Sequence, residues 1–112
     1  MSMASPTVVE PLRSRSAYLS VQSGEKRRGP FFVVALRSRG DDKPPRIGLT
    51  VTRAQGSSVE RNRIKRRLRE IVRTDATRDM KAGNDYVIIG RREILSVSFD
   101  RLKSELSRRI RD

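Results

Sequence analysis

Between Gly56 and Arg73 the chain reads GSSVERNRIKRRLREIVR, and this stretch is at once the clearest amphipathic helix and the densest run of positive charge. Ile64, Leu68, Ile71 and Val72 stand at i, i+4, i+7 and i+8, one face of a 3.6-residue period. Ser57 and Glu60 have capping-box spacing, in which the hydroxyl accepts a backbone N–H and the carboxylate reaches back to the start of the helix. Gly56 just before them suits a tight entry turn. The pattern predicts a helix from about Ser58 to about Thr74 that lies on the rest of the protein through its apolar stripe.

Around that helix Arg61, Asn62, Lys65, Arg66, Arg69 and Arg73 cluster on one flank of the stripe, and Arg63 and Arg67 lie on the other. Only Glu60 and Glu70 dilute the charge. A merely solvated helix face interleaves signs at i,i+4 for mutual support. Like charges on one helix repel, so a polyanionic partner is the simpler explanation. The whole chain agrees: 26 Lys and Arg against 13 Asp and Glu in 112 residues give +13 and a pI near 11.5, a nucleic-acid-binding balance. An anionic membrane is the rival polyanion. No apolar run approaches the roughly 18 residues of a membrane span, and no segment joins a basic face to aromatic anchors, so no membrane contact is expected. The chain has no cysteine and no histidine, which removes disulfides, thiolate and imidazole metal ligands and His-based triads together. That is compatible with a reducing cytoplasm. The N-terminus lacks the apolar core of a signal peptide, so a cytoplasmic location is expected.

Residues 1–11 carry no periodicity and read as a flexible tail ahead of one domain, residues 12–112. Ser14 or Ser16 is placed to cap a short helix with Tyr18, Leu19 and Val21. Gly24 to Pro30 is a basic turn region that leaves room for a short strand. Phe31 to Arg37 reads as a buried strand between Pro30 and Gly40. After a turn-rich loop, Arg46 to Arg53 alternates, with Ile47, Leu49 and Val51 on one side and Gly48, Thr50 and Thr52 on the other. The short loop between these strands predicts an antiparallel hairpin. A connector, residues 75–84, leads to Asp85–Arg91, whose β-branched density suggests a central strand. Ser96 or Ser98 caps a last helix with Phe99, Leu102, Leu106 and Ile110 as its stripe. The fold class is therefore α+β: a mainly antiparallel sheet of about four strands with three helices packed on it.

No catalytic constellation is visible. Asp41-Asp42, the one adjacent carboxylate pair, lies in a Gly/Pro loop where Asp commonly organises a turn. No catalytic and no metal-binding residue is assigned. The basic helix suits RNA better: arginine forks hold phosphate oxygens, and the narrow major groove of A-form RNA directs such a helix to the phosphates of folded RNA.

At Arg61-Asn-Arg-Ile-Lys-Arg-Arg-Leu-Arg-Glu the chain resembles the bacterial ribonuclease P protein component family, whose central helix carries R-N-R-x-K-R-x-x-R. The lead-in Gly48-Leu-Thr-Val-Thr-Arg with Gly56, the strand Asp85-Tyr-Val-Ile-Ile and the segment Leu12 to Tyr18 are similar to the family as well, so the likeness runs from Leu12 to Arg111. Where the family often shows two aromatics one turn apart in its first helix, this chain has Tyr18 and Gln22. The resemblance implies a left-handed β-α-β crossover, against the right-handed rule. It implies a protein subunit of an endoribonuclease whose RNA subunit holds the Mg²⁺ ions and removes the 5′ leader of precursor tRNA. It also implies two sets of contacts. Arg61, Asn62, Arg63, Lys65, Arg66, Arg69 and Arg73 would bind the catalytic RNA. Tyr18, Phe32, Val34, Thr50, Thr52 and Arg53 would line a leader cleft between the first helix and the sheet. Both RNAs are the expected partners, and no obligate protein partner is inferred. The alternative is a structural RNA-binding protein of the ribosomal type. A DNA-reading helix lacks its paired helix, and a protein-only nuclease lacks a carboxylate cluster.

Overall fold

The computed structural model describes residues 9–74 and 79–111. Its elements run β1 (Glu10–Pro11), α1 (Arg15–Gln22), β2 (Glu25–Arg28), β3 (Phe32–Ser38), β4 (Arg46–Thr50), α2 (Ser58–Thr74), β5 (Asn84–Gly90) and α3 (Phe99–Arg111), with short 3₁₀ turns at Arg53–Gln55 and Arg92–Leu95. The flexible-tail expectation for residues 1–8, and the part of the connector at residues 75–78, lie outside the described residues. Glu10 and Pro11, also assigned to the tail, pair in parallel with Arg46 and Ile47 and form an edge of the sheet.

The five strands lie in the order β1-β4-β5-β3-β2. β1 with β4 and β4 with β5 are parallel; β5 with β3 and β3 with β2 are antiparallel. The sheet is thus mixed rather than mainly antiparallel, and α2 connects two adjacent parallel strands as a β-α-β unit. The expected hairpin of β3 and β4 does not form, because β5 lies between them. The short loop 39–45 arches over the start of β5 instead. Arg39 N–H donates to Gly83 O at 2.7 Å and Gly83 N–H donates to Lys43 O at 2.8 Å. The Arg39 guanidinium ties the arch together through Asp41, Asp85 and the carbonyls of Lys43, Pro44 and Asn84. Gly83 has φ +83°, and a Cβ there would stand 2.1 Å from Asp41 O, so only glycine lets the arch close this tightly. β5 takes the centre because Tyr86, Val87 and Ile88 are all fully buried and need cover on both faces. The Tyr86 hydroxyl is satisfied by Lys81 N–H and by Asn84 Nδ2, at 3.0 and 3.3 Å.

Helices cover both faces of the sheet. On one face Phe32, Val34, Leu36, Tyr86 and Ile88 meet Ile64, Leu68 and Ile71 of α2 and Leu102, Leu106 and Ile110 of α3. Each such fully buried aliphatic side chain contributes about 1.5–3 kcal/mol. On the other face α1 packs Ala17, Tyr18 and Val21 over Ala35 and Val87. Ser14 caps α1 by accepting from Ala17 N at 3.1 Å, and Ser98 caps α3 by accepting from Arg101 N at 3.2 Å. The far end of α3 is held by Arg27, whose guanidinium donates to the carbonyls of Arg109 and Ile110 at 2.7 and 3.1 Å. Among the described residues no helix is long and apolar enough to cross a membrane.

Candidate RNA-binding surfaces

Helix α2 begins and ends where its sequence pattern predicts, and its capping box is closed. Glu60 N–H donates to Ser57 Oγ at 3.2 Å and Ser57 N–H donates to Glu60 Oε1 at 3.0 Å. Ile64, Leu68, Ile71 and Val72 are buried, which turns the opposite side of the helix to solvent. Asn62, Arg63, Arg66 and Arg69 are exposed, and Arg61 and Lys65 are half-buried. None of these six side chains makes a hydrogen bond or ion pair with another described residue, and Arg61 Nε is buried without a partner. Arg73 is exposed as well but is paired with Glu70. A row of uncompensated guanidinium and ammonium groups on a rigid rod is a phosphate-binding arrangement.

Two further arginines secure this rod rather than joining the row. Arg67 donates to the carbonyls of Ile94 and Val97, in and just after the Arg92–Leu95 turn. Arg92 bridges to Glu60 and Gln55 O, and its N–H donates to Gln55 Oε1 at 2.9 Å. In the sequence both look like members of the positive run or of a loop, and no local pattern marks them as tethers. The Arg92 side-chain bonds, followed by the Ser57 N–H, hold the Glu60 carboxyl at about 2 against an ordinary 4.5. A carboxyl depressed in the fold stabilises it fully above its unfolded value and loses that contribution as pH falls through its folded value. The expected result is that acid unfolding of the protein, followed by circular dichroism, shows stability falling between pH 4.5 and about 2. Glu60→Gln flattens this segment; superimposable acid profiles would show that the pair contributes nothing.

On the α1 face the strand registers set three transverse rows. They are Arg37–Asp85–Arg46, then Lys26–Ala35–Val87–Gly48, then Arg28–Val33–Ile89–Thr50. Helix α1 lies on the middle row. Its Tyr18 ring sits directly on Gly48, where a Cβ would come within 2.4 Å of the ring carbons. The third row borders α1 and carries half-buried Ile89 and Thr50. Thr52 stays extended (φ −75°, ψ 162°) and so continues the Thr50 side, with Arg53 beside it, both exposed. Arg91, also extended (φ −116°, ψ 162°), continues the side of Ile89.

The structure therefore brings Tyr18, Thr50, Thr52 and Arg53 to one side of the sheet. It does not bring Phe32 and Val34 there: both are fully buried on the opposite face beneath α2 and α3. The correction is one of phase. In an all-apolar strand nothing local distinguishes even from odd positions, and the face beside α1 belongs to Val33, Ala35 and Arg37. Lys26, Arg28 and Arg91 were missed, although period-two alternation in a strand at residues 25–28 places Lys26 and Arg28 on the α1 face once its pairing with β3 is known. Asp41, from the carboxylate pair, accepts from Arg39 and from Lys43 N–H at 3.0 Å and organises the arch. The Arg39 bonds, then that N–H, hold its carboxyl below the ordinary range.

Comparison with known proteins agrees with this geometry. The sequence model of the Ribonuclease P family matches residues 8–112. The chain is 46% identical over 116 residues to the ribonuclease P protein component of Brucella melitensis biotype 1, covering 96% of this chain and 82% of that one. It is 51% identical over 106 residues to that of Bartonella quintana, covering 89% and 80%. Its fold superimposes on the RNase P protein from Thermotoga maritima with a TM-score of 0.77 at 32% identity, covering 91% of this chain and 96% of the other. With its R-N-R-x-K-R-x-x-R helix unpaired and outward, the chain belongs to the ribonuclease P protein component family.

Proposed function

We propose that this protein, a subunit of the ribonucleoprotein endoribonuclease ribonuclease P, uses α2 to bind phosphates of the RNA subunit and the third sheet row to hold the single-stranded 5′ leader of precursor tRNA. The observation that carries the first half is the unpaired state of Arg61, Arg63, Lys65, Arg66 and Arg69 on one buried-stripe helix. Supporting the second half are the row itself and its rim. Ile89 and Thr50 form a floor that is neither fully apolar nor charged, and Lys26, Arg28, Arg53 and Arg91 stand around it. A single strand binds such a surface through base contacts on the floor and phosphate contacts at the rim.

In this reading the protein supplies affinity and orientation, and the RNA subunit supplies the chemistry. Magnesium ions that support cleavage are held by the RNA. Among the described residues the Asp and Glu side chains do not gather into a metal-binding set. By holding the leader, the protein increases the fraction of substrate correctly placed, and its positive surface offsets phosphate repulsion between the two RNAs.

Reconstitution tests this. The chain is mixed with its cognate catalytic RNA at low magnesium and leader removal is timed. Faster cleavage with the protein than without it is expected, and the gain is expected to shrink as monovalent salt rises, because the contacts release counterions. Equal rates with and without the protein would overturn the proposal.

A further inference from the structure

The edge of the sheet holds a groove of about 370 Å³ that borders the cationic row of α2 at Lys65 and Arg69 and reaches Tyr18, and whose apolar lining belongs to neither surface. It runs between α2 and β4. Its apolar lining is Val9, Pro11, Ile47, Leu49 and Val72, and Tyr18, Lys65 and Arg69 join it. β1 covers β4 only at Arg46 and Ile47, so the groove opens where the edge strand stops. Leu49 and Ile47 are half-buried, on the α2 side of the strand.

The composition of the groove names its occupant. Apolar grooves on small proteins are closed by another apolar group, yet two uncompensated cations at the wall attract an anion at the same place. An unstacked nucleotide satisfies both demands, with a flat base against Ile47, Leu49 and Val72 and its phosphate at Lys65 and Arg69. The Tyr18 hydroxyl, which makes no hydrogen bond in the fold, offers a donor or acceptor to the base edge. The volume is within the roughly 300–1,000 Å³ of small-ligand sites.

We infer that this groove receives one unpaired base of the catalytic RNA, whose flanking phosphate is held by Lys65 and Arg69. The inference rests on the reading that α2 binds that RNA, and deepens it from phosphate contact to the capture of a single base.

The test uses the full chain with methyl labels on isoleucine, leucine and valine. AMP at millimolar concentration is expected to shift the methyl resonances of Ile47, Leu49 and Val72, while inorganic phosphate at equal concentration leaves them in place. A second arm fills the groove with Leu49→Phe. Affinity for the catalytic RNA alone is expected to fall about tenfold with the salt slope unchanged, since stacking is removed and the phosphate pairs are kept. The inference is overturned if AMP moves none of these methyls, or if phosphate moves them equally. It is also overturned if folded Leu49→Phe binds the catalytic RNA as the parent does, or if its defect appears only with leader-bearing precursor tRNA. A response to AMP only after deletion of residues 1–8 would assign the groove to the chain's own N-terminus and overturn it too. Should Leu49→Phe fail to fold, the AMP titration of the unaltered chain decides. Lys65→Ala separates the two levels. If it weakens RNA binding while the methyls ignore AMP, phosphate binding by α2 stands and base capture falls. If it has no effect, the underlying reading fails.

Discussion

Alanine at Arg63, Arg66 and Arg69 together is expected to lower affinity for the catalytic RNA by about 100-fold at physiological salt, since each charge-assisted hydrogen bond to phosphate contributes on the order of 1 kcal/mol or more. All three side chains are exposed and unpaired, so nothing in the fold depends on them. The melting temperature is therefore expected to hold or to rise slightly, as like charges leave one helix. The slope of log affinity against log salt is expected to become shallower by about 2 to 3, as three cations no longer displace counterions from phosphates. Filter binding across a salt series and a thermal melt of each protein measure both quantities. An unchanged slope would mean that these arginines do not touch phosphates. A collapsed melt would mean that they are structural, as Arg67 is.

Asp85→Ala is expected to have the opposite signature: a large loss of stability with little change in the RNA-facing groups. Asp85 is a charged side chain only 6% exposed, and it accepts from both Arg39 and Arg46, the latter in a two-point pair at 2.8 and 2.7 Å. Burial alone would push its carboxyl up, but the hydrogen bonds from Arg46 and Arg39, with their charges, outweigh burial and hold it below the ordinary range. Removing the carboxylate leaves the Arg46 guanidinium without its counter-ion and Arg39 with Asp41 alone. It also removes one of the ties that Arg39 makes across the arch over β5. Breaking a buried pair costs about 3–5 kcal/mol, and the lower figure applies here because Arg46 reaches solvent. That corresponds to a fall in melting temperature of about 12 °C or more. Asp85→Asn keeps the shape and part of the hydrogen bonding, and is expected to fall in between. A shift of less than about 3 °C for Asp85→Ala would show that the arch is held by its backbone bonds and the other bonds of Arg39.

These two variants mark what was and was not legible in the residues. Most of helix α2 was legible: stripe, cap and ends are consequences of neighbours within four positions and survive into the fold unchanged, whereas Arg67, one of its run of cations, turned out to be a tether. The central place of β5 was legible from its β-branched density. The hairpin was not. A short loop between two strands ordinarily joins neighbours, and here the loop spans a third strand because Gly83, Asp85 and Arg39 meet beneath it. Those partners lie more than forty residues apart, out of reach of any local pattern. The misplacement of Phe32 and Val34 has a related cause. Five consecutive buried residues in β3 carry no alternation to read, so which ones face α1 depends on what each face packs against.

The amino-acid order by itself determined that this chain carries an outward-facing cationic helix, because helical periodicity and charge are written within single turns. It also determined that the helix has a sheet to lie on. Only the tertiary structure decided which strands are neighbours, which arginines are free and which are tethers, and which side chains share the face beside α1. Those outcomes depend on which groups distant in the chain are buried together, and burial is a property of the packed whole.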